Sequence, residues 1–111
     1  MHELGLCSDI VDAIERRAGD RHVSRVTIRV GRLHHVHPEA FDQSFAVAAE
    51  GTIAQDAVAE LVLLPVRTHC RSCDGSWEGE ELPVGCPSCG SVDFELAGGD
   101  ELVLESIEYR A

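Results

Sequence analysis

The 111-residue sequence has no apolar run near the ~20 residues that span a bilayer. Its opening, Met1-His2-Glu3-Leu4, lacks the basic and apolar regions of a secretory leader. A protein without membrane association, in the cytoplasm, is the expectation. Cations are also scarce: nine Lys and Arg stand against twenty Asp and Glu, for a formal net charge of −11. Phosphate backbones are gripped by clustered Lys and Arg, so nucleic acid is a poor partner, and soluble proteins or metal cations fit better. Aromatics are limited to Trp77, Tyr109 and three phenylalanines. A chain this short buries only roughly 60–70% of its unfolded surface, so its core is thin and a covalent or metal staple would help it. No phosphate-cradling Gly-Lys loop and no activated nucleophile pattern occurs. Nothing here predicts an enzyme.

What is present is cysteine in a pattern. Cys70-Arg-Ser-Cys73 and Cys86-Pro-Ser-Cys89 are two Cys-x-x-Cys hooks with twelve residues between them. Such hooks present four thiolates to one tetrahedral ion, and a site with four protein ligands keeps no open position for chemistry. Zinc suits it, iron also accepts a tetrahedral set of four sulfurs, and a red protein would identify the iron form. Four free thiols or a redox pair is the bland alternative. Gly85 and Gly90 are expected to permit the bend of the second hook, and Pro87 to stiffen it. Backbone amides in such turns donate to the sulfurs. His69, directly before Cys70, is placed to contact the thiolates from outside or to replace one of them. Cys7 stands apart and reads as a buried free thiol.

Apolar spacing predicts a helix over 4–18 with Leu4, Cys7, Val11, Ile14 and Ala18 on one stripe, ended by Gly19. Val23, Val26, Ile28 and Val30 predict a strand over 23–31. Pro38 opens a second helix with Phe41, Phe45 and Ala48 as its apolar face, closed by Gly51. Strands are expected over 58–67 and 101–109, as antiparallel neighbours with the metal hooks (69–95) at their turn. The implied fold is α+β: two helices on a small three-stranded, mostly antiparallel sheet, with an inserted zinc-ribbon-like lobe of four cysteines. The domain division follows as 1–67 plus 98–111, and 68–97.

Histidines offer a second metal chemistry. The His2 imidazole is one residue from the chain's amine, and Met1 is expected to stay uncleaved before a bulky histidine. Amine, deprotonated backbone amides and imidazole close small chelate rings, a nitrogen set suited to Ni(II) or Cu(II). His34, His35 and His37 crowd one loop, either as solvated polar residues or as an accessory metal point; His22 has no evident role.

Met1-His2-Glu3, Val30-Gly31-Arg32-Leu33 with Val36 and Pro38-Glu39, Phe41, Phe45, Gly51-Thr52, both hooks with Gly90, Gly99-x-Glu101-Leu102 and Ser106-Ile107-Glu108 together resemble the HypA/HybF hydrogenase nickel-incorporation proteins over essentially the whole length. The resemblance implies a nickel metallochaperone of hydrogenase maturation, working with the HypB GTPase on the large subunit of nickel–iron hydrogenase, and in some organisms with urease maturation proteins. It implies Ni(II) as cargo at Met1, His2 and Glu3, with His37 as a possible accessory ligand. It also implies structural Zn(II) at Cys70, Cys73, Cys86 and Cys89, and a monomer or weak homodimer. The 34–37 loop is richer in histidine than the small residues usual in that family. The competing reading is a zinc-ribbon protein-interaction adaptor with no nickel role, for which the N-terminus would be dispensable.

Overall fold

The computed structural model describes residues 2–111; Met1, expected among the nickel ligands, lies outside the described residues. In chain order the elements are α1 (His2–Ala18), β1 (Val23–Gly31), a 3-10 turn (Arg32–His34), α2 (Pro38–Ala49), β2 (Val58–Leu64), β3 (Val66–Cys70), β4 (Ser76–Gly79), β5 (Phe94–Gly98) and β6 (Leu102–Tyr109). They form two three-stranded sheets, ordered β2-β1-β6 and β4-β3-β5. The architecture is the expected α+β one: two helices, small and mostly antiparallel sheets, and a four-cysteine lobe. The chain divides into two compact units, 1–29 with 36–62 and 103–111, and 30–35 with 63–102.

The first unit holds the helices. On α1 the buried stripe is Cys7, Ile10, Val11, Ile14 and Ala18, the i, i+3, i+4 spacing of one helix face. Leu4, assigned to that stripe from sequence, is only half-buried, and Ile10 takes the place in the core. The helix also starts at His2 rather than at residue 4, with Glu3 in its first turn, where negative charge complements the helix dipole. On α2 the buried positions are Phe41, Phe45 and Ala49, so Ala49 and not Ala48 completes the face. The helices pack together, and the Cys7 thiol donates to the Phe41 carbonyl at 3.6 Å. Pro38 sits in the first helical turn, where its missing N–H costs nothing.

β1 is the central strand, and Val23, Val26, Ile28 and Val30 are all fully buried. Two sequence expectations are corrected here. Strands β2 and β6 are not neighbours; β1 lies between them. In the middle, β1 has both its edges paired while Val23, Val26, Ile28 and Val30 are buried. Arg25 of β1 reaches Glu60 of β2 at 2.7 Å, and Arg29 reaches Glu105 of β6 at 3.0 Å. These pairs are exposed and contribute about 0–1 kcal/mol each, so they set register more than stability. β6 runs antiparallel to β1, since the Ser24 hydroxyl donates to the Glu108 carbonyl and the Arg110 N–H to the His22 carbonyl. The second correction concerns the strand expected over 58–67, which breaks at Pro65 into β2 and β3, in different sheets. Proline supplies no ladder donor, so the chain leaves one sheet there and enters the next.

In the second unit β3 is central, antiparallel to both β4 and β5, with Thr68 opposite Trp77 on one side and Leu96 on the other. Trp77 and Phe94 meet edge-to-face at 6.1 Å. The Gly31 N–H donates to the Glu101 carbonyl and the Leu33 N–H to the Gly99 carbonyl, both at 2.8 Å. Gly31 and Gly99 come so close that a Cβ on Gly31 would overlap the Gly99 carbonyl. Among the described residues no helix is long and apolar enough to cross a membrane.

Candidate metal sites

The four hook cysteines converge. Their Sγ atoms all lie within 4.8 Å of one another, and the Cys70–Cys89 and Cys73–Cys86 separations are 3.6 and 3.7 Å. A tetrahedron with metal–sulfur bonds of about 2.3 Å has edges of about 3.8 Å, so the spacing fits one ion of zinc type. None of the four is in a disulfide.

The two hooks are built alike. In the first, Asp74 N–H donates to Cys70 C=O at 2.9 Å and Cys70 N–H to Gly75 C=O at 2.8 Å. In the second, Gly90 N–H donates to Cys86 C=O and Cys86 N–H to Ser91 C=O, both at 2.8 Å. The equivalent residues Asp74 and Gly90 both have left-handed backbone, with φ of 61° and 76°. Gly90 thus provides the bend expected of it. Gly85 does not: its φ is not positive, and a Cβ there would make ordinary contacts of 3.6 Å. The first hook turns on an aspartate instead, a residue type that tolerates the left-handed region.

Backbone donors tune the sulfurs. The Cys86 thiol is lowered to about 6, first by the Cys89 N–H and then, against burial, by the Ser88 N–H. Cys73 receives a hydrogen bond from the Gly75 N–H that lowers it, but the crowded thiols of Cys86, Cys70 and Cys89 push it up to about 12. Four thiols packed together cannot all ionise without a cation among them, which is the electrostatic case for a metal. The hooks are also tied to each other. Arg71 donates to Asp93 Oδ1 at 3.0 Å and to the Phe94 carbonyl at 3.1 Å, and the Ser72 and Ser91 hydroxyls are 2.8 Å apart. Sequence reasoning missed Arg71, Asp74 and Asp93, because their partners are set by the meeting of the hooks.

His69 is not among the clustered ligand atoms and engages carboxylates. Its Nδ1 is 3.2 Å from Glu95 Oε1 and its Nε2 is 3.5 Å from Asp74 Oδ1, so it touches the first hook through the residue that turns it. Cys7 is buried and free, and burial with the nearby charges of Glu3 and Asp42 pushes its thiol up to about 11.

At the other end, His2 opens α1 with its side chain 55% exposed, and its Nδ1 is 3.4 Å from Glu3 Oε1. Glu3 is buried, which the sequence did not disclose. Its carboxyl is held below the usual range first by its own backbone N–H, then, against burial, by the His37 N–H and the His2 ring. The His37 N–H donates to Glu3 Oε2 at 3.4 Å, bringing the start of α2 to the first turn of α1. The His37 imidazole is exposed. His34 Nε2 lies 2.9 Å from the Asp100 carbonyl, and His35 is exposed with φ 53°. Among the described residues the four cysteines are the one set of three or more ligand side chains brought this close.

Comparison with known proteins gives a consistent result. A family model described as "Hydrogenase/urease nickel incorporation, metallochaperone, hypA" matches residues 1–109. The chain is 37% identical over 111 residues to the hydrogenase maturation factor HypA of Rhodopseudomonas palustris (strain BisB5), covering 97% of this chain and 98% of that protein. It is 34% identical over 113 residues to the protein of the same name from Desulfitobacterium hafniense (strain DSM 10664 / DCB-2), covering 99% of each. The solution structure of the Ni metallochaperone HypA from Helicobacter pylori has the same fold, with a TM-score of 0.65 at 22% identity over 98% of this chain and 97% of that one.

Proposed function

The chain belongs to the HypA family of hydrogenase/urease nickel-incorporation metallochaperones, and from that premise we propose that it carries Ni(II) at its N-terminus and zinc in its cysteine cluster. A metallochaperone transfers an ion and catalyses no reaction of its own, so the metal sites are the functional parts. The observation that carries the assignment of cargo is the contrast between its two ends. The cysteine cluster is a closed set of four ligands with no position for an exchanging ion. His2 is exposed, at the start of a helix whose first N–H groups have no intrahelical acceptor.

On this reading the Met1 amine, the His2 imidazole and the adjoining amide nitrogens hold nickel, with Glu3 beside them and His37 as an accessory ligand. The amides must lose protons to bind, a donor set that suits Ni(II). Residues 1–67 plus 98–111 form the nickel-binding domain and 68–97 the zinc-binding domain. Zinc at Cys70, Cys73, Cys86 and Cys89 holds the lobe together. Cargo passes to the large subunit of nickel–iron hydrogenase with the help of the HypB GTPase, and urease maturation proteins are candidate further recipients. The protein works in the cytoplasm as a monomer or weak homodimer.

Calorimetric Ni(II) titration of the zinc-loaded protein tests this. His2→Ala, and separately acetylation of the terminal amine, are expected to abolish stoichiometric nickel binding while zinc content and circular dichroism stay unchanged. Unchanged nickel affinity in either would remove the assignment. Metal analysis of protein purified without added metal tests zinc against iron.

A further inference from the structure

A groove apart from the metal sites lies on the α2 side of the first unit. The end of α2 and the connection to β2 enclose an open groove of about 530 Å³. Phe45, Ala49 and Ala54 form its floor and are at most 3% exposed. Val58 lines one wall and is 53% exposed. Three carboxylates, Asp42, Glu50 and Asp56, stand on the same lining, and no Lys, Arg or His does. The groove also receives the C-terminal end of α2, whose last turn carries no basic residue to offset the negative end of its dipole.

The charge imbalance is local as well as general. Arg25, Arg29, Arg32, Arg67 and Arg71 are each paired with carboxylates elsewhere in the chain. Arg110 reaches the groove's rim, donating to the Gln55 carbonyl at 3.2 Å, which leaves the three carboxylates in excess. An apolar floor under net negative charge is complementary to a ligand that is both apolar and cationic. A second copy of the chain, also at −11, brings the wrong sign. We propose that this groove docks a peptide segment of a partner protein that carries an apolar anchor beside one or two Arg or Lys residues. The anchor lies against Phe45, Ala49 and Val58, and the cations face Glu50 and Asp56. The site uses no metal ligand and stands independently of the nickel assignment.

The test is a two-dimensional NMR titration of ¹⁵N-labelled, zinc-loaded protein with a capped amphipathic peptide of Leu, Arg and Ala. Two control peptides replace Arg by Glu or Leu by Ser. Backbone shifts are expected within residues 42–59 for the first peptide and for neither control. Glu50→Gln with Asp56→Asn is expected to weaken binding about fivefold, the scale of two exposed ion pairs. Both substitutions preserve the fold: Asn accepts the left-handed backbone that Asp56 has at φ 66°, and the first removes negative charge from a helix C-terminus. Nickel stoichiometry stays unchanged in this variant. Shifts centred elsewhere, equal affinity for the Glu peptide, or an unweakened double variant would overturn the proposal. So would groove shifts that appear with protein concentration alone, which would identify a second copy as the occupant.

Discussion

Replacing glycine by alanine at two positions is expected to change stability in opposite directions, for reasons visible only in three dimensions. Gly31 has ordinary extended backbone, with φ −69° and ψ 146°, so alanine brings no conformational strain there. The obstacle is contact: its Cβ would overlap the Gly99 carbonyl, which is backbone and cannot rotate away. The two segments must part, and the bonds from Gly31 N–H to Glu101 and from Leu33 N–H to Gly99, 2.8 Å each, are strained or lost. Two weakened hydrogen bonds plus overpacking cost about 3 kcal/mol in all. Gly5 is the control. It sits inside α1, and a Cβ added there would meet nothing within 4 Å, so Gly5→Ala should stabilise by about 0.5–1 kcal/mol. At roughly 4–6 °C per kcal/mol for a domain of this size, Gly31→Ala lowers Tm by about 12–18 °C and Gly5→Ala raises it by about 2–6 °C. Thermal circular dichroism at fixed zinc concentration reads both. A Gly31→Ala protein as stable as Gly5→Ala would refute the close approach.

The remaining expectations concern the cysteines and their neighbours. Cys73→Ser removes one of four clustered thiolates, so zinc should be released and the Trp77 near-ultraviolet signal lost, because metal-binding energy in such lobes is folding energy. The far-ultraviolet signal of α1 and α2 should largely remain, since neither helix lies in the lobe; retained zinc would contradict the site. Asp74, at φ 61°, should tolerate glycine with little change, whereas Asp74→Val places a β-branched residue in the left-handed region and should cost more than about 1–2 kcal/mol. Equal zinc retention by the two variants against a chelator would argue against the shared geometry of the hooks. The Cys7 thiol, raised from 9.0 to about 11, should resist iodoacetamide at pH 8 until the protein unfolds. Because the folded-state value is the higher one, its stabilising contribution is complete below pH 9 and falls away as pH rises from 9 through 11. Rapid native-state alkylation of Cys7, followed by mass spectrometry, would contradict its burial.

Much of this molecule was legible in its sequence where the signal is local. A Cys-x-x-Cys hook is one turn of chain, so its spacing alone announces its geometry. The α2 boundaries follow from Pro38 and Gly51 because capping acts over a few residues. Less was legible where partners are distant. Pro65 is visible in the sequence, but that it divides β2 from β3 into separate sheets depends on their distant partners, β1 for β2 and β4 and β5 for β3. Glu3 reads as a solvated acid until His37, 34 residues later, is found donating to it. The Val30–Leu33 and Gly99–Leu102 fragments look like two independent motifs, yet they form one contact.

The sequence by itself determined the ligand types, the acidic charge and the two local hooks, since each depends on composition or on residues within one turn. The tertiary structure decided which parts meet: the four sulfurs of two separate hooks within 4.8 Å of one another, and the Glu3 carboxylate under the His37 N–H. These are distances between residues far apart in the chain. They are fixed by the packing of the apolar faces and the closing of backbone hydrogen bonds, which no single stretch of sequence contains.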